Sequence, residues 1–430
     1  MTGAMYAAIG GLKSHMSKLN VIGNNVANVN TYGYKTGRMT FKESIYTTSR
    51  SGSNGGLTAG GNNPSQIGYG CSVGSIDLNM SPSTYAPTGR GLDVYMDGEG
   101  FFMFGDKDTQ IQGASDLSKL DLSRVGDLWI DPDGYVCNHQ GKVLYGFARV
   151  QNPKYNPNVG ESADNPKTIV SSQLAPLRVP LSAAAPTEAN GGRKKGTATD
   201  GSDDEYYWEE GEPVYPTLGV ETKEGYHLNG YVDPDHSADK ANNYDYTKTS
   251  TGDDGKLGYN KSLQAVAKNQ DPLTSETIKA LHVQLKSVSV EKNGAIQGIA
   301  ANGDTVILGY VAVANVDSSD GVTHIDGPYY KAMGGAGKIR VSALNGVLEN
   351  AYLCNQTTKN ADGTDKAVNP ADAILNDKDI ELINSGLEAS STDIAEEFSQ
   401  MITTQRGYQA NTRIITVTDS MLEELVNMKR

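Results

Sequence analysis

NVIGNNVANVNTYGYK, residues Asn20 to Lys35, sets five asparagines and two glycines into sixteen residues. It follows directly on an apolar stretch with helical spacing. Asparagine side chains compete for the backbone hydrogen bonds that a helix needs, and they tolerate left-handed backbone. Asn24, Asn25, Asn28 and Asn30 therefore predict a stop, and Gly33 adds a further permissive position. The first helix is expected to end here, with the chain leaving along a defined path.

On the N-terminal side, Met5, Ile9, Leu12, Met16 and Leu19 alternate steps of four and three, and Ile22 and Val26 extend the stripe. Gly3, Gly10, Gly11 and Gly23 interrupt it. Each interior glycine costs a helix about 1 kcal/mol against alanine. Such a helix is marginal alone in water, and it is expected to stay frayed until something packs on it.

The far end of the chain repeats the spacing for longer. Ile394, Phe398, Met401, Gln405, Tyr408, Thr412, Ile415, Asp419, Leu422 and Val426 keep the alternation unbroken, although three of these ten are polar. Asp393 is placed to cap the start, with Glu396 three residues on to close a capping box. Two marginal heptad segments at opposite ends have a joint explanation: they pair with each other or with copies from other subunits. The blander alternative is a separate amphipathic helix on each local core. The glycines, the polar seam positions and the terminal placement all weaken it.

The totals narrow the function classes. A chain of 430 residues predicts two to four domains. Net charge −14 and pI near 4.9 argue against nucleic acid, which demands a basic face. The acid concentrates in Asp200 to Glu212, beside Arg193, Lys194 and Lys195, and both runs read as solvated loop. No apolar run approaches the roughly 20 residues of a membrane span, so no membrane insertion is expected. In the apolar start, Lys13 follows the apolar stretch instead of preceding it, so no cleaved signal peptide is expected. Cys71, Cys137 and Cys354 form no disulfide framework or metal-ligand spacing.

The middle changes period. LDVYMDGEGFFMF (Leu92 to Phe104) alternates, and strand residues flank the Asp131-Pro132-Asp133-Gly134 turn signal. Val288 to Val316 matches it from the other side, with Asn293-Gly294 and Asn302-Gly303-Asp304 as turns. The fold expected is mixed: an α-helical coiled-coil terminal domain formed by both chain ends, plus nested all-β outer domains. The boundaries expected are 1–30 with 390–430 for the helical part and 31–75 with 380–389 for a connector. A β-rich core is expected at 76–151 with 282–379, carrying a polar loop insertion at 342–381, and an outer β insert at 152–281.

Little suggests chemistry. His227, Asp233, Asp235 and His236 cluster in sequence but match no ligand motif, and Asp131 to Gly134 lacks the downstream acid of a calcium loop. No nucleophile–base arrangement or phosphate-cradling glycine loop stands out. The expectation is no enzyme, no catalytic residue, no cofactor and no metal.

Three stretches carry a resemblance. IGNNVANVNTYGYK (Ile22 to Lys35) resembles the N-terminal motif of bacterial flagellar rod and hook proteins. TGRGLDVYMDGEGFFMF (Thr88 to Phe104), with Leu122 to Phe147, is similar to their shared β domain. Gly386 to the end resembles their C-terminal helix. The resemblance implies a self-assembling, basal-body-linked polymer whose terminal helices pack as a tube around a channel while the other domains face outward. The long middle favours the hook, the curved joint between rod and filament, over the distal rod protein; a secreted surface adhesin is the remoter alternative.

The same resemblance implies other partners besides copies of the chain: the distal rod protein, the hook cap protein, the hook–filament junction protein and the flagellar type III export apparatus. It places the protein in the extracellular flagellum. The subunit-packing residues expected on this reading are Leu12, Leu19, Ile22, Val26, Phe398, Met401, Tyr408, Ile415, Leu422 and Val426. Asn28, Thr31, Gly33 and Lys35 are expected to shape the connector turn.

Overall fold

The computed structural model describes residues 2–52, 60–107, 109, 111, 114–151, 166, 168–182, 213–215, 283–344, 375–377 and 379–428. The acidic stretch, His227 to His236, Cys354 and most of the segments expected at 152–281 and 342–381 lie outside them. The chain divides into two compact units, Met1–Thr84 with Ala389–Arg430, and Tyr85–Glu388. Helices at both ends and a large β-rich region make up the architecture.

In the first unit, helix α1 runs over Thr2–Ala27 and helix α2 over Ile394–Met428. Between them in sequence come β1 (Gly37–Glu43), β2 (Tyr46–Arg50), β3 (Ser65–Gly68) and β4 (Cys71–Leu78). β1 pairs with β4 and β2 with β3, both antiparallel. These strands were not anticipated at 31–75, where their exposed, polar residues carry no clean period-two stripe.

The helix stop falls later than the first asparagines suggest. α1 continues through Asn24 and Asn25 because the Asn25 amide bonds outward, to Gly37 and Glu397, and leaves its own backbone undisturbed. Asn28 does turn back, donating from Nδ2 to the Asn24 carbonyl at 2.9 Å. At the start of α2, Asp393 Oδ1 accepts from the Ala395 and Glu396 N–H groups at 2.8 and 3.4 Å. Glu396 does not close the expected box; its carboxylate accepts from Gln400 Nε2 one turn on, at 3.1 Å.

The second unit is built on a sixteen-stranded sheet among the described residues. Its elements include β5 (Tyr85–Pro87), β6 (Asp93–Asp97), β7 (Phe101–Gly105), β8 (Asp121–Ser123), β9 (Gly126–Ile130), β10 (Val136–Asn138), β11 (Val143–Gln151) and β12 (Thr168–Pro176). β7 pairs with β8, β11 and Val313–Val316. β11 pairs with β12 and Thr305–Val311, so the sheet continues past residue 151.

The period-two stretch Leu92 to Phe104 forms β6 and β7, where Asp93 to Met96 and the whole of β7 are buried among strands from both halves of the chain. Phe102, Phe104, Val94, Met96, Leu128 and Val313 share the core. Each such side chain contributes roughly 1.5–3 kcal/mol by leaving water.

The local turn signals hold. Gly134, at φ 83°, donates its N–H to the Asp131 carbonyl, and Ile130 then faces Val136 across the β9–β10 pair. Gly294 and Gly303 also sit at positive φ, each donating to a carbonyl three residues back. One ion pair is fully enclosed. Arg124 Nε donates to Glu388 Oε2 at 2.8 Å, and its remaining N–H groups reach the Met96, Gly98 and Gly100 carbonyls. This ties the β6–β7 turn to the strand Gly386–Glu388, which pairs with β5.

Candidate assembly interface

The two terminal helices pack antiparallel. A side chain on Gly11 would collide with Asn411 and one on Gly407 with His15, while Asn25 bonds Glu397; each step up α1 is a step down α2. Glycine at these crossings lets the helices approach closely. α1 also lies on β4. A Cβ on Gly10 would stand 3.0 Å from the Cys71 carbonyl oxygen, and Ser14 Oγ donates to Gly10 and Cys71 carbonyls at 2.9 and 3.4 Å.

The inward faces are small or polar. α1 buries Ala8, Gly11, Ser14, Ile22 and Asn25; α2 buries only Glu397, Thr404 and Thr418. The apolar residues of α2 point elsewhere. Phe398 is 49% exposed, Val417 54% and Val426 67%, and Ile402, Ile414, Met421, Leu422 and Leu425 are exposed too. With Gly11 opposite Asn411 and α1 beginning at Thr2, Met421 to Met428, about two turns, extends past α1.

Of the expected packing residues, Ile22 is buried within the chain. Leu12, Leu19, Val26, Met401, Tyr408 and Ile415 are half-buried, and Phe398, Leu422 and Val426 face solvent. The residues that do meet across the pair went unread. Glu397, Thr404, Asn411 and Thr418 recur every seventh position, each one residue before Phe398, Gln405, Thr412 and Asp419. That polar heptad was the available signal.

The asparagine-rich segment forms a knot of hydrogen bonds. Asn25, 1% exposed, donates from Nδ2 to the Gly37 carbonyl and to Glu397 Oε1, both at 2.9 Å. Its Oδ1 accepts from Gly37 N–H and Tyr34 Oη at 3.0 Å each. Thr31 donates to Asn28 Oδ1, Gly33 takes φ 67°, and buried Lys35 donates to the Ser81 carbonyl at 2.7 Å. The extended residues ahead of α2 join in: Ser391 N–H donates to the Tyr34 carbonyl, and Thr36 N–H donates to Ser391 Oγ.

Electrostatics follow burial. The Glu397 carboxyl is raised above its ordinary value, first by burial and then by nearby Glu396, against the Asn25 bond and Lys18. Tyr34 is raised by burial and by the Glu397 charge. His15 is lowered, by burial and by Lys18. Among the described residues no group of acids, histidines and cysteines could hold a metal, and no helix is long and apolar enough to cross a membrane.

Two family models match at the two ends. Residues 5–35 match "Flagella basal body rod protein", and residues 384–428 match "Flagellar basal body rod FlgEFG protein C-terminal". The matches bracket the helix pair and the asparagine knot. Full-length relatives agree. Flagellar basal-body rod protein FlgG of Bacillus subtilis (strain 168) is 26% identical over 431 residues, covering 100% of both chains.

Flagellar hook protein FlgE of Borreliella burgdorferi (strain ATCC 35210 / DSM 4680 / CIP 102532 / B31) is 25% identical over 496 residues, again covering 100% of each. FlgE of Escherichia coli (strain K12) is 24% identical over 465, covering 99% of this chain and 100% of its own. The chain is thus similar, at both ends and over its length, to flagellar rod and hook proteins. Both matched segments meet in one unit, where Asn25 of α1 bonds Gly37 of β1 and Glu397 of α2.

Proposed function

We propose that this chain is the structural subunit of a flagellar hook, polymerising into a curved tube that transmits torque from rod to filament. The single observation that carries the reading is the inverted helix α2, which buries Glu397, Thr404 and Thr418 within the chain and leaves Phe398, Val417, Leu422 and Val426 outside. A helix of 35 residues, about 50 Å long, with its apolar residues turned outward is incomplete in one copy. Other copies of the same helix supply the missing cover, the two helices forming the coiled-coil inner layer of the tube.

A hook bends as it rotates, so subunit spacing changes on every turn. Close-packed inner helices hold register while polar outer surfaces exchange weak contacts. Helices that are marginal alone also suit export through the flagellar type III apparatus, since a chain unfolds readily where glycines lower helix stability. On the same reading the finished polymer contacts the distal rod protein below, with the cap and junction proteins above.

Electron microscopy of the full chain under polymerising conditions tests this, beside a form lacking residues 1–30 and 390–430. Curved tubes with a central channel from the full chain alone are expected. Straight tubes would favour the rod, and tubes from the truncated form would overturn the role of the ends.

A further inference from the structure

We propose that Asn25 and Glu397 are the register key of the terminal helix pair, the contact that sets how far α2 slides along α1. Asn25 is saturated: both amide hydrogens and both oxygen lone pairs are used, three of the four bonds going to Gly37 and Tyr34. Its position is therefore set by its own end of the chain, and the fourth bond selects the partner. Glu397 is buried and takes that bond on Oε1, while Oε2 has no hydrogen-bond partner.

Sliding α2 by one turn, about 5.4 Å, removes the donor from a buried carboxylate. In one direction Asn25 then faces Met401, which has no matching acceptor. In the other it faces Asp393, whose Oδ1 already caps the helix. When Asn25 faces Asp393, Gly11 meets Gly407, small against small, so that slip meets no steric bar there. When it faces Met401, Gly11 meets Ile415, so packing opposes that slip as well. Ser391 bonds Tyr34 and Thr36, but it lies in the extended segment ahead of α2, where a shift buries no charge. A single buried polar pair fixing register at some cost in stability is a known device of packed helices.

The charged and titratable groups facing Glu397 are Lys18 on α1, Tyr34 on the turn and Glu396 on its own helix. Lys18 also lies over the Phe41 ring, 5.7 Å from its centroid. None of them donates a hydrogen bond to Glu397 in place of Asn25.

The test uses the full-length chain with its native cysteines replaced, carrying new cysteine pairs. Gly11→Cys with Asn411→Cys, and His15→Cys with Gly407→Cys, report the native register. Gly11→Cys with Gly407→Cys, and His15→Cys with Asn411→Cys, report slips of one turn either way. Non-reducing gels separate crosslinks within a chain from those between copies.

With Asn25 and Glu397 present, slipped pairs should crosslink at least about ten-fold less than native pairs. In Asn25→Leu with Glu397→Leu, the Gly11–Gly407 slipped yield should rise to within about two-fold of native ones, with the helices still paired. Glu397→Gln keeps the Asn25 bond and should keep native register. Exclusive native crosslinking in the double-leucine chain would overturn the proposal. Loss of all crosslinks there would overturn it too, by showing that the contact makes the pair and does not choose its register.

Discussion

The β-rich unit and the helix pair bury opposite things. Around β7 the inside is Phe102, Phe104, Val94 and Leu128, and an enclosed ion pair, Arg124–Glu388, has each guanidinium nitrogen bonded. Between α1 and α2 the inside is Gly11, Asn25, Glu397 and Thr404, while phenylalanine, isoleucine and leucine line the outside. The first region finishes its core within one chain. The second leaves much of its hydrophobic surface exposed in one chain, which on the proposed function other copies cover, and keeps polar contacts inside.

The largest expected effect breaks this contrast outright. Leu422→Glu with Val426→Glu should abolish tubes in electron microscopy, since both residues are exposed in one copy. Thermal unfolding of the β-rich unit should move by less than about 0.5 kcal/mol, as for other surface changes. Unaltered tubes would mean that the outward face is not the assembly face. Next comes Arg124→Ala, which strands Glu388 in the core and should cost about 3–5 kcal/mol in denaturant unfolding. A cost under about 1 kcal/mol would place that pair among ordinary surface bridges.

A smaller loss is expected for Gly11→Leu. Its Cβ would stand 2.7 Å from Asn411 Nδ2, a flexible side-chain end, so overpacking of about 1–3 kcal/mol should show in helical circular dichroism melts and not in those of the β unit. The smallest effect is with pH. Burial raises Glu397 above its ordinary value, so the folded state holds the proton where the unfolded chain releases it. Stability of the helix pair is therefore fullest below the ordinary glutamate range and falls as pH rises through the raised value. Glu397→Gln should flatten that slope, and an unchanged slope would assign it to another group.

Much of this was legible because it is local. Asp131 to Gly134 and Asn293-Gly294 announced their turns, since a turn needs only a few residues and a permissive φ. The helical character of both ends followed from apolar spacing alone. The face each helix turns inward did not follow. Met401, Tyr408 and Ile415 border two adjacent stripes, one running from Phe398 to Val426 through Gln405, Thr412 and Asp419, the other through Glu397, Thr404, Asn411 and Thr418, and the spacing favours neither. Burial of β6 and β7 on both sides was hidden for a similar reason, because the strands that cover them come from beyond residue 283.

What the amino-acid sequence determined by itself was the list of parts: a glycine-weakened heptad helix, a second heptad helix with polar seam positions, an asparagine-rich exit, and β strands with their turns. Backbone propensity and short-range hydrogen bonding suffice for those. Tertiary structure alone decided that the Asn25 side chain would reach out of its helix to Gly37 and Glu397, and that α2 would show its hydrophobic side outward. Both depend on which surfaces come within 3 Å of each other, and residues hundreds of positions apart settle that only when the chain has folded.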